Sequence, residues 1–333
     1  MLISENHRHI PQRFQKRPVA FLAPGSGLGH LVRTGALCLG LLSRGIPSVI
    51  FGTSAYGPGF SRLTGLDVVT LPMSQWKDVC LEHVKALDPV LLVQDTFPCG
   101  LKGENFSALT ENLPLIILSR RLRFSAYQNA LKAIGPVHEP QGFSTLIMEP
   151  LEPDHMNWLE QRARTVTSLE NRIRFPWPEI SLAPVPRKLE QAHKAKNLHL
   201  VVHSGPEEET IRLIDLAEKN IKNLGDGHLA VINPRMAARN NPMCFDYFPA
   251  AALYDRAEHI YTGAGFNAVS ETADFVEKHT MLAFPRHYDD QVWRMENKSY
   301  DKKPGNKIAR DMIENLYNQE QKIMTYAEES PGE

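Results

Sequence analysis

Short apolar runs alternate with helix-period patterns along most of this chain, and that alternation admits few folds. "PVAFLAP" (18–24), "PSVIFG" (47–52), "DVVTLP" (67–72), "PVLLVQD" (89–95) and "LPLIILS" (113–119) read as strands. Between the first two, Leu31, Val32, Ala36, Leu37, Leu39, Leu41 and Leu42 mark a buried helix, and Gly45 stands where a left-handed cap is wanted. Strand, turn, helix, strand is a βαβ unit, so the fold class predicted is α/β with Rossmann-like, doubly wound parallel sheets.

A chain of 333 residues is long for one core, and two domains are the better expectation. "FPWPEISLAPVP" (175–186) carries four prolines that prevent regular structure. It divides a first domain, 1–175, from a second, 187–333, with 176–186 as linker and the last helix expected to pack back on the first domain. Past the linker the alternation resumes. "LHLVVHSG" (198–205), "HLAVIN" (228–233), "EHIYTG" (258–263) and "TMLAFP" (280–285) read as strands. "PEEETIRLIDLAEKNI" (206–221) reads as a helix with Pro206 at its start and glutamates complementing its dipole. Two such domains on one linker predict a cleft between them.

Charge excludes some classes of function. Lys and Arg number 37 against 38 Asp and Glu, a net charge of -1, which points away from a general nucleic-acid binder. Cys38, Cys80, Cys99 and Cys244 are scattered without metal-ligand spacing and read as reduced thiols of a cytoplasmic protein. The first residues lack the apolar core of a secretory signal, and no apolar run approaches the ~18 residues that cross a bilayer. Any membrane contact would be peripheral, and the sequons at Asn105 and Asn297 carry little weight in that setting.

The loops after the strands hold the chemistry. Gly25, Ser26, Gly27 and Gly29 form a strand-to-helix turn that resembles a dinucleotide fingerprint, yet His30 occupies the next fingerprint position and "FGTS" ends the second strand without an acid for a ribose. A P-loop pattern is missing too. An imidazole at such a turn suits a general base near neutral pH, and the alternative is a histidine that caps the helix or fills a gap at its start. Asp95, closing "PVLLVQD", lies at the same sheet edge and reads either as an orienting carboxylate or as an Asx turn. In the second domain Gly263, Ala264, Gly265, Phe266 and Asn267 lead from a strand into a helix, an arrangement that suits a diphosphate. Glu271 follows within that helix, where a carboxylate can accept from sugar hydroxyls. "FPRHYDDQ" then gathers Arg286, His287, Asp290 and Gln291. His199 and His203 share a strand face but lack a third metal ligand.

These segments together resemble the GT-B nucleotide-sugar glycosyltransferases. The residues that carry the resemblance are "GSGLGHLVRTGAL", "LLVQDTFPCGLKGE", "YDRAEHIYTGAGFNAVSETADF" and "FPRHYDDQ". The nearest branch is that of the peptidoglycan N-acetylglucosaminyltransferase. Both domains are covered in order, with no matching motif across 120–195. The resemblance implies two Rossmann-like domains facing across a cleft, and inverting transfer of a sugar from a nucleotide-sugar donor, a UDP-sugar by preference, to an acceptor of unknown identity. His30 would be the base and Asp95 its partner, with Gly25, Ser26, Gly27, Gly29 and Arg33 on the acceptor-side loop. Ser204, Gly205 and the Gly263–Asn267 loop would meet the diphosphate, Glu271 the ribose, and Asp290 with Gln291 the donor sugar. The family needs no cofactor and no catalytic metal, in keeping with the lack of a D-x-D motif here.

Two rivals stand beside that reading. Gly29-His30-x-x-Arg33 also resembles sugar-nucleotide hydrolases of the same branch, in which the histidine activates water. A non-catalytic nucleotide-sugar-binding or partner subunit is the third. Oligomeric state is not legible.

Overall fold

The computed structural model describes residues 16–104, 113–169, 173–176, 185, 187, 189–190, 197–239, 241, 243–297 and 305–329. Asn105 and most of the expected linker lie outside them. The chain divides into two compact units, one drawn from residues 1–175 and 303–333, the other from 176–302.

Unit 1 holds seven described strands: Val19–Ala23 (β1), Ser48–Gly52 (β2), Asp67–Thr70 (β3), Leu91–Asp95 (β4), Leu115–Ser119 (β5), Phe143–Ile147 (β6) and Ala163–Ser168 (β7). Their order is β3-β2-β1-β4-β5-β6-β7, with every pairing parallel. Helices Gly29–Leu42 (α1), Gly57–Thr64 (α2), Trp76–Leu87 (α3), Phe124–Ile134 (α4) and Pro153–Arg162 (α5) fall between strands. All residues of β1, β2, β4, β5 and β6 are buried, as a parallel sheet covered on both faces demands. β6 and β7 occupy the stretch where the sequence offers no motif. β7 is an exposed edge strand of mostly polar residues, so no apolar run announces it.

Unit 2 repeats the plan with Leu198–Val202 (β8), Glu207–Leu224 (α6), His228–Ile232 (β9), Pro234–Ala237 (α7), Cys244–Phe245 (β10), His259–Gly263 (β11), Phe266–Glu271 (α8), His279–Leu282 (β12) and Gln291–Asn297 (α9). The parallel order is β10-β9-β8-β11-β12. Alternate residues serve opposite faces: Leu200, Ala230 and Ile260 pack with Leu253 and Tyr254, whereas Val201, Val231 and Tyr261 pack with Leu213 and Ala217 of α6. β10, two residues long, is too short to leave a periodic trace.

The last helix, Asn306–Glu329 (α10), belongs to unit 1. Asn306 accepts from Arg174 N at 2.9 Å and donates to Arg174 O at 2.6 Å. Arg44 at the end of α1 pairs with Glu314 at 3.0 Å.

Both sheets reverse their winding once, between β1 and β4 in unit 1 and between β8 and β11 in unit 2. Ligands of open α/β sheets bind outside the carboxyl ends of the strands at such a switch point. The two places to look are therefore the turns after β1 and β4, and those after β8 and β11.

α1 carries Gly35 where an alanine Cβ would come within 2.5 Å of Phe60 Cζ and 3.0 Å of Phe175 Cε2. Alanine gains about 1 kcal/mol of helix propensity over glycine, but overpacking a filled core costs about 1–3 kcal/mol. Gly35→Ala is therefore expected to destabilise in urea unfolding. A stabilised variant would contradict this packing.

Candidate active site

β1 runs into the glycine turn, and the turn is held from the side by the end of β2. Gly25 N donates to Thr53 Oγ1 at 2.8 Å, Thr53 Oγ1 donates to Gly25 O at 3.2 Å, and Ser54 Oγ donates to Ser26 O at 3.4 Å. The "FGTS" segment thus supplies hydroxyls that shape the loop. Gly25 is required by close approach: a Cβ there would sit 2.3 Å from His30 Cδ2 and 2.8 Å from Nε2. The imidazole lies against bare backbone.

Asp95, the last residue of β4, is fully buried, and its carboxylate gathers four hydrogen bonds. His30 Nδ1 donates to Oδ2 at 2.6 Å, Arg33 Nη2 to Oδ2 at 2.8 Å, Arg33 Nε to Oδ1 at 3.2 Å, and Thr96 Oγ1 to Oδ1 at 3.2 Å. Thr96 takes φ +76°, an uncommon conformation for a β-branched residue and a mark of local strain at a site. Phe97, next along, stacks on His30 with ring centroids 6.0 Å apart, and Tyr127 lies 5.6 Å beyond Phe97. Tyr127 pins this turn, since its hydroxyl accepts from Cys99 N at 3.0 Å and donates to Gly100 O at 2.7 Å. A cavity of about 140 Å³ is lined by Cys99, Phe124, Tyr127 and Trp158.

Charge decides the protonation states. Burial pushes the Asp95 carboxyl up, and Arg33 and His30 more than reverse this, holding it well below the usual carboxylate range. Burial lowers His30, Asp95 partly offsets that, and Arg33 with Arg120 lowers it further. Neutral His30 with its proton on Nδ1 toward Asp95 leaves the Nε2 lone pair at the glycine turn. Arg120, which follows β5, is a contributor that no motif marks.

Arg33 lies in α1, buried, with its guanidinium on Asp95. Gly29 likewise opens α1, while Ser26 is exposed.

At the second switch point, His203 follows directly on β8, and Ser204 beside it is exposed. His203 Nε2 bonds Glu209 Oε2 at 2.7 Å, and Arg286 closes on both oxygens of Glu209 at 2.5 and 2.6 Å. Arg286 is thus engaged within unit 2, and His203 and Glu209 join the site without a motif to mark them. Gly205 is bare for the same reason as Gly25: its Cβ would meet His203 Nε2 at 2.3 Å. Gly263 ends β11, Gly265 precedes α8, and Ala264, Phe266 and Asn267 lie between and after them. α8 is only six residues long and closes on Glu271, whose charge helps raise the buried Tyr254 hydroxyl after burial itself.

Asp290 and Gln291 already hold backbone. Asp290 Oδ1 accepts from Trp293 N at 3.1 Å as the cap of α9, and Gln291 Oε1 accepts from Phe284 N at 3.1 Å. His287 packs on Tyr288, with ring centroids 4.4 Å apart. His199 Nδ1 pairs with Tyr261 Oη at 2.9 Å. Among the described residues no group of three or more His, Cys, Asp or Glu is arranged for a metal ion, and no helix is long and apolar enough to cross a membrane.

No protein-family profile matches the chain, and no curated protein does so either. Solved structures do. S. aureus MnaA in a co-structure with UDP is 11% identical with a TM-score of 0.56 over 92% of this chain and 91% of that one. A Streptomyces sp. SF2575 glycosyltransferase, SsfS6, complexed with thymidine diphosphate, is 13% identical with a TM-score of 0.54 over 85% of each chain. The spinosyn forosaminyltransferase SpnP is 14% identical with a TM-score of 0.52 over 95% of this chain and 96% of that one. The chain has the GT-B fold. At these identities the likeness shows the fold alone.

Removing the Asp95 charge would leave Arg33 buried without its partner, a loss of about 3–5 kcal/mol. Because the folded carboxyl titrates below its unfolded value, its contribution is present above about pH 4 and lost as pH falls through the folded value. Asp95→Asn is expected to lower urea stability by that amount at pH 7, with the gap to wild type narrowing in acid. A gap under about 1 kcal/mol at pH 7 would contradict the pairing.

Proposed function

We propose that the protein is a nucleotide-sugar glycosyltransferase in which His30 deprotonates the acceptor. The observation that carries this is the His30–Asp95 pair at the first switch point, with Nε2 against Gly25, where a Cβ would stand 2.8 Å away. Asp95 fixes the tautomer and stabilises the imidazolium formed as the acceptor hydroxyl or amine gives up its proton, the role of the carboxylate in an acid–histidine pair. Attack on the anomeric carbon from the face opposite the diphosphate inverts its configuration.

Unit 2 supplies the donor site in this reading. UDP and thymidine diphosphate accompany two proteins of the same fold, which supports a nucleoside diphosphate as the handle. We assign the diphosphate to Ser204, Gly205 and the Gly263–Asn267 loop, a ribose hydroxyl to Glu271, and the donor sugar to the loop of Asp290 and Gln291. We assign UDP as the preferred nucleotide and place the activity in the branch of the peptidoglycan N-acetylglucosaminyltransferase. Charge leaving with the diphosphate is met by backbone amides and side chains, so chelation by EDTA is expected to leave turnover unchanged.

The test is nucleotide release from a panel of UDP- and thymidine-diphospho-sugars, with and without candidate acceptors. His30→Ala should cut turnover by about 10²–10⁴-fold while leaving donor affinity nearly unchanged. Collapse of donor binding would assign His30 to structure. Glu271→Ala should raise the donor KM about tenfold, the worth of one hydrogen bond to a charged group. Release at full rate without any acceptor would turn the same histidine to water activation, making the protein a hydrolase.

The pH profile carries a sign. A base works unprotonated, and burial holds His30 below 6.5. Acceptor kcat/KM is expected to be flat at pH 7 and above and to fall only on the acid side of about 6.5. An acid limb centred above pH 7 would exclude His30 as the group observed.

A further inference from the structure

The two switch points are built alike. In unit 1 a histidine, a carboxylate and an arginine meet after β1 and β4. In unit 2 His203, Glu209 and Arg286 meet after β8, beside the end of β11. Nothing in the transfer chemistry above uses this second cluster.

Its geometry leaves one atom available. His203 Nε2 is committed to Glu209, which fixes the proton on Nε2 and the lone pair on Nδ1. Nδ1 makes no hydrogen bond among the described residues, yet it is not among the enclosed side-chain atoms that lack a partner. The His203 side chain is 10% exposed. The ring edge carrying Nδ1 and Cε1 rests on Gly263, where a Cβ would stand 3.3 and 3.2 Å away. Gly205 is bare on the other side.

The surrounding charge sets what the ligand must be. Glu209 from α6 is matched by Arg286, and Arg235 of α7 adds a further positive charge toward His203. Phe284, 5.1 Å from the imidazole between ring centroids, is apolar, and Arg212 and Arg286 lie over the same ring. Burial and the two guanidiniums disfavour a protonated imidazole in the empty site, against the pull of Glu209. An anion placed at Nδ1 reverses that balance.

We propose that His203 contacts the diphosphate of the nucleotide ligand and takes up a proton from solvent when that ligand binds. The imidazolium then donates Nδ1–H to a non-bridging phosphate oxygen while Nε2–H stays on Glu209. The inference rests on the nucleotide reading of unit 2. It assigns a proton-coupled anion contact to a residue outside the transfer step.

Calorimetry of the full chain with UDP and thymidine diphosphate, in buffers of different ionisation enthalpy at pH 7, reads proton uptake directly. His203→Gln keeps a donor for Glu209 but cannot take a proton, and comparison with it subtracts uptake by the ligand's own phosphate. Wild type should take up more protons than H203Q, and between pH 6 and 8 its affinity should fall about fivefold more than that of H203Q. Nitrogen-15 spectra of wild type supply a measurement that needs no variant: His203 Nδ1 should move from unprotonated to protonated on adding UDP. Nucleotide binding with His203 unchanged would overturn this inference and leave the nucleotide reading standing. Binding of neither nucleotide would overturn both.

Discussion

A carboxylate with no solvent contact has to be met by protein groups on every side, and Asp95 is such a carboxylate. Its desolvation would drive it neutral. Arg33, His30 and the hydroxyl of Thr96 prevent that, and each is thereby held in place. The turn geometry follows from the same demand. His30 can reach Oδ2 only by lying flat on Gly25, which no side chain permits. The strained Thr96 and the stacked Phe97 bring the end of β4 to the imidazole from the other side. One buried charge thus organises residues from α1 and from the turns after β1 and β4, and leaves the imidazole a single lone pair on Nε2.

The doubly wound sheets explain why such an arrangement occurs where it does. Reversal of winding leaves a gap between the helices over the carboxyl ends of two adjacent strands. In unit 1 those strands are β1 and β4, in unit 2 β8 and β11, and both gaps hold a histidine fixed by a carboxylate that an arginine in turn fixes. The carboxylates differ in setting. Asp95 is enclosed, whereas the Glu209 side chain retains 15% exposure, which leaves the second cluster more responsive to a ligand's charge.

The sheets were legible because strands buried on both faces leave apolar runs, and β1, β2, β4 and β5 are such strands. β7 was not, since an exposed edge needs no apolar residues. His30 and Asp95 could be singled out because each closes or follows a strand-like run. The His203 cluster could not. Glu209 reads as one of three acids complementing the start of α6, and Arg286 lies 77 residues away from it, so only the folded chain reveals their pairing. Arg33 sits beside a glycine turn in the sequence, and only the folded chain shows that it lies in α1 with its guanidinium on Asp95. Asp290 and Gln291 were visible as polar residues after a strand, but nothing local disclosed that they cap α9 and brace Phe284.

The central claim is that His30 rests neutral, its Nδ1 proton on Asp95 and its lone pair on Nε2. Nitrogen-15 and proton spectra of histidine-labelled protein at pH 7, with His30 assigned by its absence from His30→Ala, test this directly. The account requires a protonated Nδ1 coupled to a downfield proton and an unprotonated Nε2. A proton on Nε2, or a doubly protonated ring at that pH, would contradict it.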